Sequence, residues 1–343
     1  MEREIGVGLI GYGLAGRAFH APYVRATSGM VLRAVVSRDA AKVHRDIADV
    51  RVVPSVADLL AEPGIDLVIV ASPDAFHADH ALATIAAGKH VLIDKPFAAS
   101  LADARRVAAA AEASGRVVTV FQNRRWDADF RTLRHLLDTG TLGDVVSLES
   151  RFERWRPTVA DIWKEGREGG AWMDLGPHLV DQALVLFGRP AAITTDIATM
   201  RDAAPAADWF HAVLRYPRHR VVLHSSKLSA AHDLRFIVHG TAGSWVKHGT
   251  DPQEAATLAG AAPGGEDWGV DRADGILTRV DDDGPSADSY PNERGDYRLF
   301  WKALAAAIRD GSPNPVPVAE ALAVMEVLDA GLRSAAERRE IMP

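Results

Sequence analysis

The chain contains no cysteine. That excludes disulfides, thiolate nucleophiles and thiolate metal sites, and it fits a cytoplasmic enzyme. No apolar run approaches the roughly 20 residues needed to span a bilayer. Met1 is followed by Glu2-Arg3-Glu4, not by a basic leader with a small-residue cleavage site, so no secretory signal is expected. Positive charge is not in excess. The formal net charge of −7 gives no general attraction to nucleic acid or to an anionic membrane, and Arg151, Arg154 and Arg156 form at most a local basic patch. Internal repeats and low-complexity tails are also missing. What is present is 343 residues of ordinary globular composition, 48% hydrophobic and 25% charged, a length that favours two domains.

The first third alternates short apolar runs with helical patterns. Ile5–Ile10, Leu32–Ser37, Val52-Val53, Leu67–Ala71, Val91–Ile93 and Val117–Phe121 read as strands. A helix is expected after Gly16 to about Thr27, another over His77–Ala87 closed by Gly88, and a third from Ser100 with Asp103 as its capping partner. This alternation predicts a parallel, doubly wound α/β sheet over 1–121, with ligands at the carboxyl ends of its strands.

After Phe121 the texture changes. Asp127–Thr139 reads as a helix stopped by Gly140, Val145–Phe152 as a half-buried strand, and Met173–Phe187 as a helix ended by Gly188. Ile193–Thr199, Phe210–Tyr216, Arg220–Ser226, Leu234–Gly240 and Ser244–Lys247 follow as strands. No helical pattern separates the later ones, so the sheet of the second α/β domain, 122–343, is expected to be mostly antiparallel. Asp251–Asp267 and Asp281–Pro291 are rich in Gly, Pro, Asp and Ala and are expected as exposed loops. Helices over Asp296–Asp310 and Ala319–Arg338 close the chain, and they are free to pack back on the first domain.

Three segments carry chemistry. Gly11-Tyr12-Gly13-Leu14-Ala15-Gly16 follows an apolar strand and opens a helix, which is the context a dinucleotide loop requires. Its glycines let the backbone turn tightly and approach a pyrophosphate at the helix N-terminus. At the end of the second strand stand Ser37 and Arg38, where an acidic residue would favour NAD. A hydroxyl and a guanidinium suit the 2′-phosphate of NADP instead. Asp39 is one position too late for the ribose; the alternative for Arg38 is a solvated loop residue or one that stacks on adenine.

Lys95 lies in Asp94-Lys95-Pro96, just past a buried strand. An isolated lysine is usually on the surface, but a position beyond the carboxyl edge of the sheet suits a hydrogen-bond donor to a reacting oxygen. Asp174 and His178, in Asp174-Leu175-Gly176-Pro177-His178, are one helical turn apart. A histidine near its normal pKa can take an alcohol proton, and a nearby carboxylate can orient it. The structural alternative is a helix-capping Asp with a hydrogen-bonded histidine. Because proline is tolerated in a helix's first turn, the pair is expected at a helix start. Two ligand types without a third make a poor zinc site, so no metal is expected.

The chain resembles the glucose–fructose oxidoreductase/inositol dehydrogenase/MocA family over essentially its whole length. The matching pieces are Gly11–Gly16, Ala71-Ser72-Pro73 with His77, Gly88-Lys89-His90-Val91 leading to Asp94-Lys95-Pro96, and Asp174–His178. The family usually has Glu where this chain has Asp94. Phe19-His20-Ala21-Pro22, Gln122-Asn123-Arg124-Arg125-Trp126-Asp127 and Asp174–Leu179 resemble the branch containing NADP-dependent scyllo-inositol 2-dehydrogenases. The resemblance implies a Rossmann domain followed by an α/β domain with a large open sheet, and homodimers or homotetramers built through that sheet. It implies that Lys95, Asp174 and His178 are catalytic, that Ser72, Pro73, His77 and Lys95 itself join the cofactor contacts, and that Asp174 and His178 also contact the substrate. Asn123, Arg154 and Trp163 follow as candidate substrate contacts, whereas His20 and Arg125 read equally well as structural.

The expected function is hydride transfer between NADP, or NAD, and a secondary ring alcohol of a polyol or sugar. Two other readings use the same residues: reduction of another carbonyl such as a keto-sugar or diketone, and a non-catalytic dinucleotide sensor. Retention of Lys95, Asp174 and His178 argues against the sensor.

Overall fold

The computed structural model describes residues 4–343, except the side chains of Trp163 and Lys164. The chain forms two compact units interleaved in sequence. The first takes the chain through Asn123 together with Gln253–Trp268 and Asp296–Met325; the second takes Arg124–Pro252, Gly269–Gly295 and Glu326–Pro343.

In the first unit, strands β1 (Ile5–Ile10), β2 (Met30–Val36), β3 (Arg51–Val53), β4 (Leu67–Val70), β5 (His90–Ile93) and β6 (Val118–Val120) make a six-stranded sheet in the order β3-β2-β1-β4-β5-β6. Every pairing is parallel. Such a sheet must be covered on both faces, and β1 and β4 are buried throughout. The helices that cover it are α1 (Ala21–Ala26), α2 (Ala40–Asp46), α3 (Val56–Ala61), α4 (His77–Ala86) and α5 (Leu101–Ser114). Ser100 caps α5 by accepting the Asp103 N–H, as its sequence requires. The strand order reverses between β1 and β4, which opens a crevice at their carboxyl ends.

In the second unit, α6 (Ala128–Asp138) and β7 (Val145–Arg151) precede α7 (Gly170–Phe187). Then follow β8 (Ala192–Ala198), β9 (Trp209–Arg215), β10 (Arg220–Ser226), β11 (Leu234–Gly240), β12 (Gly243–His248), β13 (Gly275–Asp281) and β14 (Gly284–Tyr290). They form an eight-stranded sheet in the order β14-β13-β12-β11-β7-β10-β9-β8. Only the β7–β10 pairing is parallel. Trp172 of α7 seals one face, edge-on to Phe210 of β9 with ring centres 5.0 Å apart.

Both expected loops contain structure. Asp281–Pro291 holds β14, which pairs with β13 as a hairpin. An edge strand exposed on both faces shows no alternation, so its pattern was hidden. Within Asp251–Asp267 lies the helix Gln253–Leu258, anchored by buried Gln253, whose side chain accepts the Tyr297 N–H. Among the described residues no helix is long and apolar enough to cross a membrane.

Candidate functional site

The first unit gathers its candidates on one edge of the sheet. Gly11–Gly16, Ser37 with Arg38, Ser72 with Pro73, Lys95 and Asn123 follow β1, β2, β4, β5 and β6 respectively. In the glycine loop, Gly11 has φ +96°, and a Cβ there would sit 2.6 Å from the Ala71 carbonyl oxygen. A Cβ on Gly16 would sit 2.1 Å from Gly11 O. A Cβ on Gly13 would meet nothing within 4 Å. Two glycines therefore close the loop on itself and on β4, and the third keeps an open face beside the helix start. That is the shape needed for close approach of a pyrophosphate. The helix begins as a widened turn over Ala15–His20, with the Ala21 N–H donating to Gly16 O. Tyr12 is buried and donates its hydroxyl to Asp46 Oδ2 at 3.2 Å. Burial, reinforced by Asp46, pushes its pKa up to about 12.

At the end of β2 the three polar residues divide the work. Asp39 Oδ1 accepts the Lys42 N–H at 2.9 Å and so caps α2. Ser37 Oγ accepts the Asp39 N–H at 3.1 Å. Arg38 is exposed. The only carboxylate in this loop is thus engaged at a helix start.

The loops after β4 and β5 are tied together by His77. This buried ring has Nε2 at 2.9 Å from Ser72 O and Nδ1 at 2.8 Å from Pro96 O. Expected among the cofactor contacts, it serves in this geometry as a strut between two loops. Burial lowers its pKa, with Asp94 and the two carbonyls working in the opposite direction. The Lys95–Pro96 peptide is cis. Lys95 N–H donates to Asp94 Oδ1 at 2.8 Å, which fixes the backbone from which the half-buried lysine side chain departs. Burial alone would raise the Asp94 carboxyl. His20, then Lys95 and His77, more than offset this and hold it at about 2. His20 Nε2 is 3.8 Å from Asp94 Oδ2, so their interaction is electrostatic and not a hydrogen bond. His20 itself is fully buried against Phe121 and Trp301. Ser72 Oγ pairs with His80 Nδ1 at 3.0 Å.

In the second unit the candidates for proton transfer, Asp174 and His178, share α7. The helix begins at Gly170, not Met173, so Asp174 and His178 lie beyond its first turn and Pro177 lies inside it. The expected position at a helix start is thereby corrected. Pro177 has no N–H for the carbonyl of Met173 one turn back. Arg167 compensates: its Nη1 is 3.4 Å from Met173 O and 2.8 Å from Asp174 Oδ1. His178 is 5% exposed, and the Asp174 side chain 30%.

One turn past His178, α7 is pinned again. Arg125 makes two hydrogen bonds to Asp181, at 2.8 and 2.6 Å. Gln182 accepts from Arg235 at 2.6 Å and donates to Arg124 O. The fully buried Arg235 also bonds Asp129 and Ser150, and it lies against the rings of Phe152 and Phe236. Arg167 and the Arg235 network were not anticipated from sequence. The signals were an arginine inside an apolar strand run, Leu234–Gly240, and a proline that leaves a helical carbonyl in need of a donor.

Arg154 follows β7, held by its N–H on Ser226 O and its carbonyl on Ser229 N–H. Asn123 is buried at the turn after β6. The Trp163 side chain lies outside the described residues. Among the described residues no cluster of three or more His, Asp or Glu is placed to hold a metal.

Residues 5–122 match the model of the "oxidoreductase family, NAD-binding Rossmann fold", and residues 134–342 match its C-terminal alpha/beta domain. The uncharacterized oxidoreductase YdgJ of Escherichia coli (strain K12) is 45% identical over 98% of both chains. The scyllo-inositol 2-dehydrogenase (NADP(+)) IolW of Bacillus subtilis (strain 168) is 35% identical over 98% of this chain and 96% of its own. The structure of an oxidoreductase from Yersinia pestis superposes with a TM-score of 0.96 at 44% identity, covering 100% of this chain and 98% of the other.

Proposed function

Because the chain belongs to the glucose–fructose oxidoreductase/inositol dehydrogenase/MocA family of oxidoreductases, we propose that it oxidises a secondary ring alcohol of a polyol or sugar with NADP as preferred cofactor. Scyllo-inositol is the first substrate to try, since a relative similar over nearly the whole chain carries that name. The observation that carries the reading is Asp174 and His178 one turn apart on α7, a carboxylate and an imidazole suited to moving a hydroxyl proton.

In this reading the open face of Gly13 and the helix start hold the pyrophosphate, and Ser37 and Arg38 receive the 2′-phosphate. The engagement of Asp39 as the α2 cap supports the NADP preference, because it keeps a carboxylate from competing for that position. Ser72 and Pro73 edge the nicotinamide. When bound, the nicotinamide supplies the hydride acceptor. His178 takes the hydroxyl proton, Asp174 orients and supports its charged form, and Lys95 donates a hydrogen bond to the oxygen as its negative charge develops. Asn123, Arg154 and Trp163 contact the substrate. The physiological form is a homodimer or homotetramer through the open face of the eight-stranded sheet. Ile276 and Val280, 45% and 60% exposed on the face opposite buried Leu277, support that assembly.

The test is a screen of inositols, aldoses and their keto forms with NADP and NAD, following absorbance of the reduced cofactor. Turnover of a cyclic polyol or sugar with NADP preferred is expected. Turnover confined to acyclic diketones would overturn the substrate class, and cofactor binding without any turnover would return the protein to the sensor reading.

A further inference from the structure

We infer that Arg167 is a positioning residue for the proton-transfer pair on α7; the inference rests on the catalytic reading above. Proline inside a helix usually bends or breaks it, because the carbonyl one turn back loses its donor. In α7 the deprived carbonyl is that of Met173, the neighbour of Asp174. A single nitrogen of Arg167 reaches both that carbonyl, at 3.4 Å, and Asp174 Oδ1, at 2.8 Å. The contact to the carboxylate is the strong one, being charge-assisted and short. The longer contact to Met173 ties the same guanidinium to the helix backbone, so that the carboxylate and its turn are held as one piece.

Arg167 is itself held. It is 7% exposed, and its own carbonyl accepts the Gly170 N–H at 2.9 Å where the helix begins. Two residues earlier, Glu165 is bound by Lys227 at 2.8 Å and Arg201 at 2.6 Å. Arg201 is in turn fixed by Asp208 at 2.7 Å. The segment before α7 is thus anchored in the second unit by buried ion pairs, and Arg167 extends that anchorage to Asp174. A carboxylate with a fixed orientation does not have to be reorganised when the imidazole gains a proton, which is what proton transfer at His178 requires.

The test is a double-mutant cycle of Arg167→Gln and Asp174→Ala, with Arg167→Lys as the conservative control. Each single variant is expected to lower kcat by about 10-fold or more, the scale of a small misplacement of a reacting group. The KM for NADP should stay put, Arg167→Lys should recover part of the loss, and the double variant should be no slower than the slower single. A slow Asp174→Ala beside a normal Arg167→Gln would overturn this inference and leave the catalytic reading intact. Normal turnover in Asp174→Ala would overturn both. If no screened substrate is turned over, the catalytic reading fails and the positioning role fails with it, whatever coupling the same cycle shows in thermal unfolding.

Discussion

The carboxyl edge of the six-stranded sheet and helix α7 present reactive groups in opposite ways. Along the edge, each strand end contributes one small piece: the glycine loop after β1, Ser37 and Arg38 after β2, Ser72 and Pro73 after β4, Lys95 after β5. Each piece sits on its own loop, and His77 ties the loops after β4 and β5. On α7, Asp174 and His178 share one rigid element, which is held at Asp174 by Arg167 and at Asp181 and Gln182 by Arg125 and Arg235. Damage to the edge should therefore be graded and fall mainly on cofactor binding. Damage to α7 should be abrupt and fall on turnover.

The largest expected effect lies on α7. His178→Ala should lower kcat by about 100-fold or more, the usual range for loss of a general base, while NADP affinity barely changes. Rapid-mixing kinetics and a cofactor titration read the two separately. Near-normal turnover would move the base to Lys95 or elsewhere and end the contrast between the two regions.

Lys95 is where the contrast should break. It belongs to the edge by position, yet in the proposed chemistry it acts on the reacting oxygen. Lys95→Ala should slow hydride transfer by about 10- to 100-fold with cofactor and substrate saturating, because an ammonium group favours the developing alkoxide over the alcohol. A raised NADP Kd with an unchanged hydride-transfer rate would make Lys95 an ordinary member of the edge.

The same contrast explains what could be read from sequence. The glycine loop was legible because its glycines recur at a fixed spacing in sequence: a Cβ on Gly16 would strike the loop's own backbone at Gly11, one on Gly11 would strike Ala71, and one on Gly13 would strike nothing. The strand and helix alternation was legible because a parallel sheet buries its strands as short apolar runs. The start of α7 was misplaced because Pro177 breaks a local rule whose remedy, Arg167, belongs to no pattern around it. β14 was missed because both of its faces are wet. Buried Arg235 shows in sequence as a misfit within a strand, but only the fold reveals Asp129, Ser150 and Gln182 as its partners.

On the edge itself, Arg38→Ala should weaken NADP by about 1–3 kcal/mol, the worth of a charged hydrogen bond, with the exposed guanidinium placing it at the lower end. NAD should weaken much less. Equal losses in fluorescence titrations with the two cofactors would mean that Arg38 stacks on adenine or only bathes in solvent, and the NADP assignment would go with it.

The smallest effect is the most discriminating for the β2 loop, because Asp39 is its only carboxylate. If Asp39 is spent on the α2 cap, Asp39→Ala should cost about 1 kcal/mol of stability and read as a lowered Tm. The ratio of NADP to NAD affinity should move less than about threefold, since the lost charge is exposed and screened. Asp39→Ser should restore most of the stability, because a serine hydroxyl also accepts at the cap. A different pattern would follow if the carboxylate faced the ribose. Stability would then be nearly unchanged, NAD would bind more weakly for want of an acceptor for its 2′-hydroxyl, and NADP would bind much more tightly. That result would show that this edge selects NAD through Asp39, and Arg38 would lose its proposed role.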